Sequence, residues 1–391
     1  MKYDFERLID RSEKGSSKWN LMKEKNSVIP DNIVPLSVAD ADISLAPEIK
    51  NGLIEFLKND VVLGYTDPTD KYYQSVINWM EKRHNYKIKK EWIVISNGIV
   101  PALFDAVNAY TNENDGVIVF TPVYYPFYQA IKTNNRKIVK CPLIDQNTNY
   151  TIDFKKFSLL AQKSENKMMI LCNPHNPVGR VWQKEELEKI AKICLDNDLI
   201  LVSDEIHEDL IMPGHIHFPI AALNDEIANR TITCTAPSKS FNLAGMQASN
   251  IIIKDPDLKS KFILQQEKRC FHSLNTIAYE TTILAYDKGE TWLEEFKKLI
   301  NKNYQLLVDY INQNLPQIKV YPLQGTYLAW LDFRNLGYDH HELEKKMINA
   351  NLYLDEGYLF GEEGKGFERI NIACPTNILL ESLKRLKKEF A

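Results

Sequence analysis

The sequence has no apolar run approaching the roughly 18 residues that a membrane span needs. Its opening stretch, MKYDFERLID, has no apolar core of the signal-peptide kind, so no secretory leader is expected. No Cys-x-x-Cys pair occurs. The 6 cysteines (Cys141, Cys172, Cys194, Cys234, Cys270 and Cys374) stand far apart, and the first four lie in or beside apolar stretches. They read as small core residues rather than a disulfide framework or a metal site. A reducing, cytoplasmic setting is expected. There is no excess of positive charge: 48 Lys and Arg stand against 52 Asp and Glu, for a net charge of −4. Non-specific nucleic-acid binding wants a basic face and is not expected. Internal repeats and low-complexity tracts are also missing.

What remains is the composition of an ordinary globular chain, 44% hydrophobic and 26% charged over 391 residues. That length can bury a large core and favours two or three domains. Short β-rich apolar runs alternate with amphipathic stretches from about residue 90 to 255. The expected strands are Trp92–Ser96, Gly116–Thr121, Lys137–Pro142, Met168–Cys172, Ile200–Asp204, Thr231–Thr235 and Asn250–Ile253. Helical patterns such as Pro101–Tyr110 and Lys184–Asn197 lie between them. This alternation predicts an open, mostly parallel α/β sheet. A long helical stretch, Thr276–Asn314, follows, with a break near Gly289. Beyond it come a strand (Thr326–Asp332), a helix (His341–Asn349), a Gly-rich loop (Gly357–Gly366), a strand (Glu368–Ala373) and a final amphipathic helix (Asn377–Phe390). The expected division is a large α/β domain at 48–288 and a smaller α+β domain made of 1–47 and 289–391. The segment to about residue 46 shows few periodic elements and is expected to pack on the small domain.

Three strand ends carry chemistry. In open α/β sheets, ligands bind beyond the carboxyl ends of the strands. Asn176 follows the first of these strands in an Asn-Pro turn, although Asn-Pro pairs also simply mark turns. Asp204 ends the next strand. A carboxylate there loses hydration unless it is paired, and it suits a protonated ring nitrogen; an acidic start to a helix is the plainer reading. Lys239 follows the third strand among Ser238, Ser240 and Asn242. Lysine forms Schiff bases with carbonyls, yet most single lysines are surface residues. The ordered set, with one αβ unit between successive members, makes convergence on one crevice the better reading. Two weaker signals join it. Gly98, Ile99 and Val100 precede the first-turn Pro101 of a helix, where free N–H groups and the positive helix end can seat a phosphate. Tyr124 ends another strand, where it can lie flat on an aromatic ring or form a packing corner. His207 either supports Asp204 or its neighbours by a hydrogen bond or is a satisfied core histidine.

Together these residues resemble the fold-type-I pyridoxal-phosphate (PLP) enzymes, the aspartate-aminotransferase superfamily. Asn173-Pro174-His175-Asn176-Pro177-Val178-Gly179 matches the superfamily's Asn-Pro-x-Asn-Pro-x-Gly, and Asp204-Glu205 and Ser238-Lys239-Ser240-Phe241-Asn242 match its later motifs. The resemblance covers almost the whole chain. It is closest to the cystathionine β-lyase/C–S lyase branch of class I and II aminotransferases (the MalY/PatB type), through Val38-Ala39-Asp40-Ala41-Asp42, Gly64-Tyr65, Asn97 to Leu103, Thr121 to Phe127, Asp204 to His207 and Gly364 to Asn371. It implies a large domain with a mostly parallel seven-stranded sheet plus a small α+β domain, and PLP as cofactor. It implies an imine between Lys239 and the cofactor and a pairing of Asp204 with its ring nitrogen. Asn176 would bond the ring hydroxyl, Tyr124 would stack, Gly98, Ile99, Val100 and Ser238 would hold the phosphate, and His207 would lie in the cofactor site. Arg369 would clamp the substrate carboxylate, and Tyr65 would reach the phosphate of a neighbouring subunit in a homodimer. The implied reaction cleaves cystathionine or another cysteine S-conjugate to thiol, pyruvate and ammonia, with no metal. An aminotransferase, or a PLP-bearing regulatory protein on the same scaffold, is the alternative.

Two departures stand out. Class I aminotransferases carry a phosphate-binding Arg eight positions after the lysine, where this chain has Gln247; the lyase branch commonly lacks that Arg. The N-terminal motif usually reads Ala-Asp-Met-Asp-Phe and here reads Ala39-Asp40-Ala41-Asp42-Ile43. If Ala41 and Ile43 line the substrate mouth, a wider or differently shaped pocket is expected.

Overall fold

The computed structural model describes residues 3–391. Among these, seven strands form one sheet in the order Ile93–Ser96, Ser249–Ile253, Thr231–Thr235, Ile200–Asp204, Asn166–Cys172, Gly116–Thr121, Lys137–Pro142. Every pairing from Thr231–Thr235 to Lys137–Pro142 is parallel. Ser249–Ile253 runs antiparallel to both its neighbours. These are the seven expected strands with slightly different starts: Ile93 for Trp92, Asn166 for Met168, Ser249 for Asn250. Trp92 belongs instead to the short 3-10 turn Lys90–Trp92.

The central strands read as continuous apolar runs because helices cover both faces of the sheet. On one side Val119 and Val202 pack with Leu103, Phe127 and Phe262. On the other, Phe120, Leu171 and Leu201 pack with Phe157, Trp182 and Ile190. All five residues of Ile200–Asp204 are buried, the aspartate included.

A second, antiparallel sheet has the order Lys319–Val320, Leu328–Asp332, Phe367–Asn371, Asp355–Glu356. The long helical stretch divides where expected, into Thr276–Lys288 and Glu290–Asn314. Gly289 at the junction has an ordinary φ of −84°. The reason for glycine there is space: a Cβ would lie 2.5 Å from the Phe241 ring and 2.6 Å from the Ala285 carbonyl. The Gly-rich loop carries two short 3-10 turns, Gly357–Phe360 and Glu362–Gly364.

The N-terminal segment holds more structure than its sequence pattern predicts. Ser17–Lys25 is a helix whose Trp19 and Met22 pack against Ile33, Val34 and Tyr353. Its apolar stripe is too sparse to read as a helix alone; tertiary packing holds it. The segment lies against the small sheet, as expected. Leu36 N–H donates to the Tyr353 carbonyl at 2.9 Å, and Asn371 N–H donates to the Leu36 carbonyl at 2.8 Å. Among the described residues no helix is long and apolar enough to cross a membrane.

Asn303, fully buried on the helix Glu290–Asn314, ties that helix to the small sheet's exit. Its amide donates to the carbonyls of Ile372 at 2.9 Å and Cys374 at 2.8 Å. Asn303→Leu keeps the branched shape but strands both carbonyls, at a cost of about 2–4 kcal/mol. A thermal-unfolding midpoint several degrees lower is expected; an unchanged midpoint means the two bonds are replaceable.

Candidate active site

The strands Asn166–Cys172, Ile200–Asp204 and Thr231–Thr235 are neighbours and parallel, so their carboxyl ends open on the same edge of the sheet. Asn176 sits in the turn after the first. Asp204 ends the second. Lys239 lies in the four-residue helix Pro237–Ser240 just after the third. All three line one cavity of about 220 Å³, together with Tyr124 and Arg369. Gly98, Ile99, Val100, His207, Ser238 and Gln247 line the same cavity.

Burial dominates the electrostatics. Asp204 is 3% exposed, and its Oδ1 accepts the Ile206 N–H at 3.2 Å. Loss of hydration pushes its pKa up to about 7, against the weaker pull of that hydrogen bond and of Lys239. Lys239 Nζ donates to the Ala39 carbonyl at 2.7 Å, which also accepts from the Tyr327 hydroxyl at 2.8 Å. Burial brings the Lys239 pKa down to about 8; Asp40 opposes the shift and Arg369 adds to it. The cavity thus presents a carboxyl and an amine whose proton affinities have moved towards each other, which is the signature of a site for proton transfer.

Arg369, on the strand Phe367–Asn371, brings the small sheet into the same cavity. Its Nε and Nη2 donate to Asp355 Oδ2 at 3.1 and 2.6 Å, and its Nη1 donates to Asn176 Oδ1 at 2.8 Å. The guanidinium carbon lies 4.6 Å from the centre of the Phe360 ring. Three of its five N–H donors are therefore in use and two remain for a ligand. The Tyr124 N–H donates to the Asn176 carbonyl at 3.2 Å and locks the aromatic turn to the Asn-Pro turn. Gly98 has φ +122°, a conformation that side chains rarely adopt, and it precedes the helix Ile99–Tyr110. The first N–H groups of that helix have no acceptor within it and face the cavity end with partial positive charge.

Not every expected residue joins the group. Tyr65 is fully exposed at 112% relative accessibility and does not line the cavity of its own chain. His207 lines it, but its Nδ1 has no partner and it makes no hydrogen bond to Asp204; its ring stands edge-on to Tyr327 at 6.0 Å. Neither the expected support of Asp204 nor a satisfied core histidine describes it. Ala41 and Ile43 are buried, 3% and 4% exposed, and line a separate, larger cavity of about 760 Å³ with Arg11, Asn242 and Trp292. The mouth beside Lys239 is formed from that motif by Val38 and Ala39 instead. Two participants escaped the sequence reading. Asp355 belongs to no motif and is recognised only once its strand pairs with that of Arg369. The Ala39 carbonyl lies inside the Val38-to-Asp42 motif, but a backbone atom leaves no sequence signal.

Asp204 generates a pH test on the ligand-free protein. Its folded pKa of about 7 stands above the 3.8 of an unperturbed aspartate. Between these values the folded state keeps a proton that the unfolded state has lost, so stability falls as pH rises through that window. Above about pH 7 the penalty is constant, at most about 4 kcal/mol. Asp204→Asn removes it. The variant is expected to resist urea better than the parent at pH 8, with the gap closing towards pH 4. A gap that does not change with pH contradicts the placement.

Comparison with known proteins agrees with this geometry. The aminotransferase class I and II family matches residues 31–386. Cystathionine β-lyase PatB of Bacillus subtilis (strain 168) is 38% identical over 98% of this chain and 99% of its own. The crystal structure of cystalysin from Treponema denticola, which contains a pyridoxal 5′-phosphate cofactor, superposes with a TM-score of 0.98 at 47% identity, covering 100% of this chain and 99% of that one. The PLP-bound C–S lyase of Staphylococcus hominis superposes with a TM-score of 0.92 at 31% identity, covering 100% and 99%. With its lysine, aspartate and asparagine at three adjacent strand ends, the chain belongs to the aminotransferase class I and II family.

Proposed function

We propose that this protein is a PLP-dependent carbon–sulfur β-lyase that converts cystathionine or another cysteine S-conjugate, with water, to a thiol, pyruvate and ammonia. The observation that carries the reading is the meeting of Lys239, Asp204, Asn176 and Arg369 in one cavity, in a chain whose full-length relatives include a cystathionine β-lyase and C–S lyases. The donor set fits the cofactor. A buried carboxyl with no cation in contact suits a ring N–H⁺, an amine of lowered pKa suits an aldehyde, and the start of the helix Ile99–Tyr110 with Ser238 suits a phosphate. Bound PLP supplies an electron sink conjugated to the substrate nitrogen.

The chain's own residues do the rest. With the cofactor bound, Asp204 would hold the proton on the ring nitrogen, Asn176 would bond the ring hydroxyl, and Tyr124 would cover the ring face. Arg369 offers its two remaining donors to the substrate carboxylate, a geometry its planar fork favours. Asp355 and Asn176 fix the guanidinium so that its rotamer entropy is lost before substrate arrives. Lys239 Nζ, as the free amine, would take the proton from the substrate Cα. With a pKa of about 8 it is a usable base near neutral pH, which an ordinary lysine is not. Loss of the Cα proton then drives departure of the thiolate from Cβ.

The active unit in this reading is a homodimer. Val62, Leu63 and Tyr65 are exposed by 86%, 63% and 112%, an apolar run that a second copy would cover while its Tyr65 reaches the phosphate seat. The chain is divided at 48–288 and 1–47 with 289–391, so that Arg369 enters the cavity from the small domain. The compartment is the cytoplasm, in keeping with 6 unpaired cysteines among the described residues.

Incubation with cystathionine is expected to release thiol and pyruvate in equal amounts; transfer of the amino group to an added keto acid, without thiol, would overturn the lyase reading. Lys239→Ala should lose the visible band of the bound cofactor together with activity. Arg369→Ala should keep the cofactor but lose about 10²–10³-fold in kcat/KM, the cost of one buried charged clamp. Mixing inactive Lys239→Ala with a weakened Tyr65→Phe variant should restore part of the activity, because one of the two sites in each mixed dimer is then intact. No restoration would place Tyr65 outside the neighbour's site.

A further inference from the structure

A second group of ionisable side chains is buried away from the Lys239 cavity. His84 ends the helix Asp70–His84; Glu205, Glu208 and Asp209 follow the strand Ile200–Asp204; His217 lies in the loop beyond. His84, Glu208 and His217 are 8%, 3% and 6% exposed. Two of the three carboxylates are well supplied with donors. Glu205 accepts from Ser203 Oγ at 2.7 Å, His217 Nε2 at 3.0 Å and the Ile220 N–H at 3.3 Å. Asp209 accepts from Ser240 Oγ at 2.6 Å, His84 Nε2 at 3.0 Å and Trp79 Nε1 at 3.3 Å.

Glu208 differs. Its Oε2 is buried with no hydrogen-bond partner and stands 3.7 Å from His84 Nε2. His217 Nδ1 is also buried and unpartnered. An unpaired carboxylate oxygen and an unpaired imidazole nitrogen are costly in a protein interior. They are, however, the two commonest oxygen and nitrogen ligands of a divalent transition metal. One ligand atom each from His84, Glu208 and His217 lies within 4.8 Å of the other two. Tetrahedral ligands at about 2.1 Å from an ion stand about 3.4 Å apart. The His84–Glu208 pair is close to that spacing, and about 1 Å of side-chain rotation closes the rest.

Charge and support fit as well. Glu205, Glu208 and Asp209 have one guanidinium close by, that of the half-buried Arg83, whose Nε is 3.8 Å from Asp209 Oδ1 and whose Nη2 is paired with Glu294 at 2.7 Å. With neutral histidines the cluster carries an excess of negative charge, which a dication offsets. His217 is held through Nε2 by the Glu205 carboxylate, the carboxylate–histidine arrangement that orients metal-bound imidazoles. A cavity of about 160 Å³, with the exposed His215 at its rim, reaches His84, Glu208 and His217 from outside and gives an entry path.

We infer that His84, Glu208 and His217 bind one divalent transition-metal ion of the Zn²⁺ class, at a site separate from the one that holds Lys239. The ion pins the end of the helix Asp70–His84 to the segment after Asp204 and to the His217 loop. His84 Nε2 ligates the ion in place of its hydrogen bond to Asp209, which keeps those from Ser240 and Trp79. Its role is structural, since the substrate cavity does not include it.

The test uses untagged holoenzyme freed of metal by a chelator, with Co²⁺ as the probe and metal-free holoenzyme as the spectral blank. Visible d–d bands should saturate at one equivalent per chain, and Zn²⁺ should displace them and raise the unfolding temperature. They should vanish in Glu208→Gln and in His217→Asn and persist when the surface pair His340 and His341 is replaced by asparagine. Three results overturn the inference: no saturable band in the parent protein, bands that survive both Glu208→Gln and His217→Asn, or bands lost with His340 and His341. The first means that the cluster balances its charge with protons; the last places the ion on the surface.

Discussion

A carboxyl group at the end of a fully buried strand has to keep its proton or find a cation, and Asp204 is built so that the protein itself does not supply one in contact. Its neighbours offer one backbone N–H, and Lys239 is neutralised in part by the same burial. The parallel sheet forces this situation. Its strand ends must open on one edge, and the side chains there are covered by the turns that follow. A ligand carrying a ring N–H⁺ therefore gains more from Asp204 than it would in water, because the carboxylate has already lost its hydration in the fold. In the proposed reading, part of the affinity for the cofactor is prepared during folding.

The second organising contact is Arg369 with Asp355 and Asn176. It crosses from the four-stranded sheet to the turn after the strand Asn166–Cys172, so one guanidinium both joins the two sheets and faces the cavity. In the proposed reading, substrate binding therefore depends on the relative placement of the sheets. The buried carboxylate–histidine cluster behind the strand Ile200–Asp204 extends this logic one layer outward. Asp209 accepts from Ser240, and Ser240 follows Lys239.

The strands of the large sheet were legible because both of their faces are buried, so apolar runs end sharply at polar turn residues. Asn176, Asp204 and Lys239 were legible for the same reason: each lies at the end of such a run or four residues beyond it. The helix Ser17–Lys25 was not, since its order comes from Trp19 and Met22 meeting residues far along the chain. Asp355 was not legible either. Its role arises from a strand pairing with the segment that carries Arg369, and pairing partners leave no local pattern. The condition set for Ala41 and Ile43, that they line the mouth, is not met. The motif does reach the cavity, but through Val38 and the Ala39 carbonyl, while the two variable side chains point into a neighbouring space. Their departure from the usual residues bears on packing near Asn242 and Trp292 rather than on the mouth beside Lys239.

The most direct measurement is chemical. Borohydride reduction of the holoenzyme fixes the cofactor to whichever amine holds it, and peptide mapping by mass spectrometry identifies that amine. The account predicts one pyridoxyl group per chain, on Lys239 in the segment Ala236 to Asn242. A label on any other lysine, or a holoenzyme that takes up none, would contradict it.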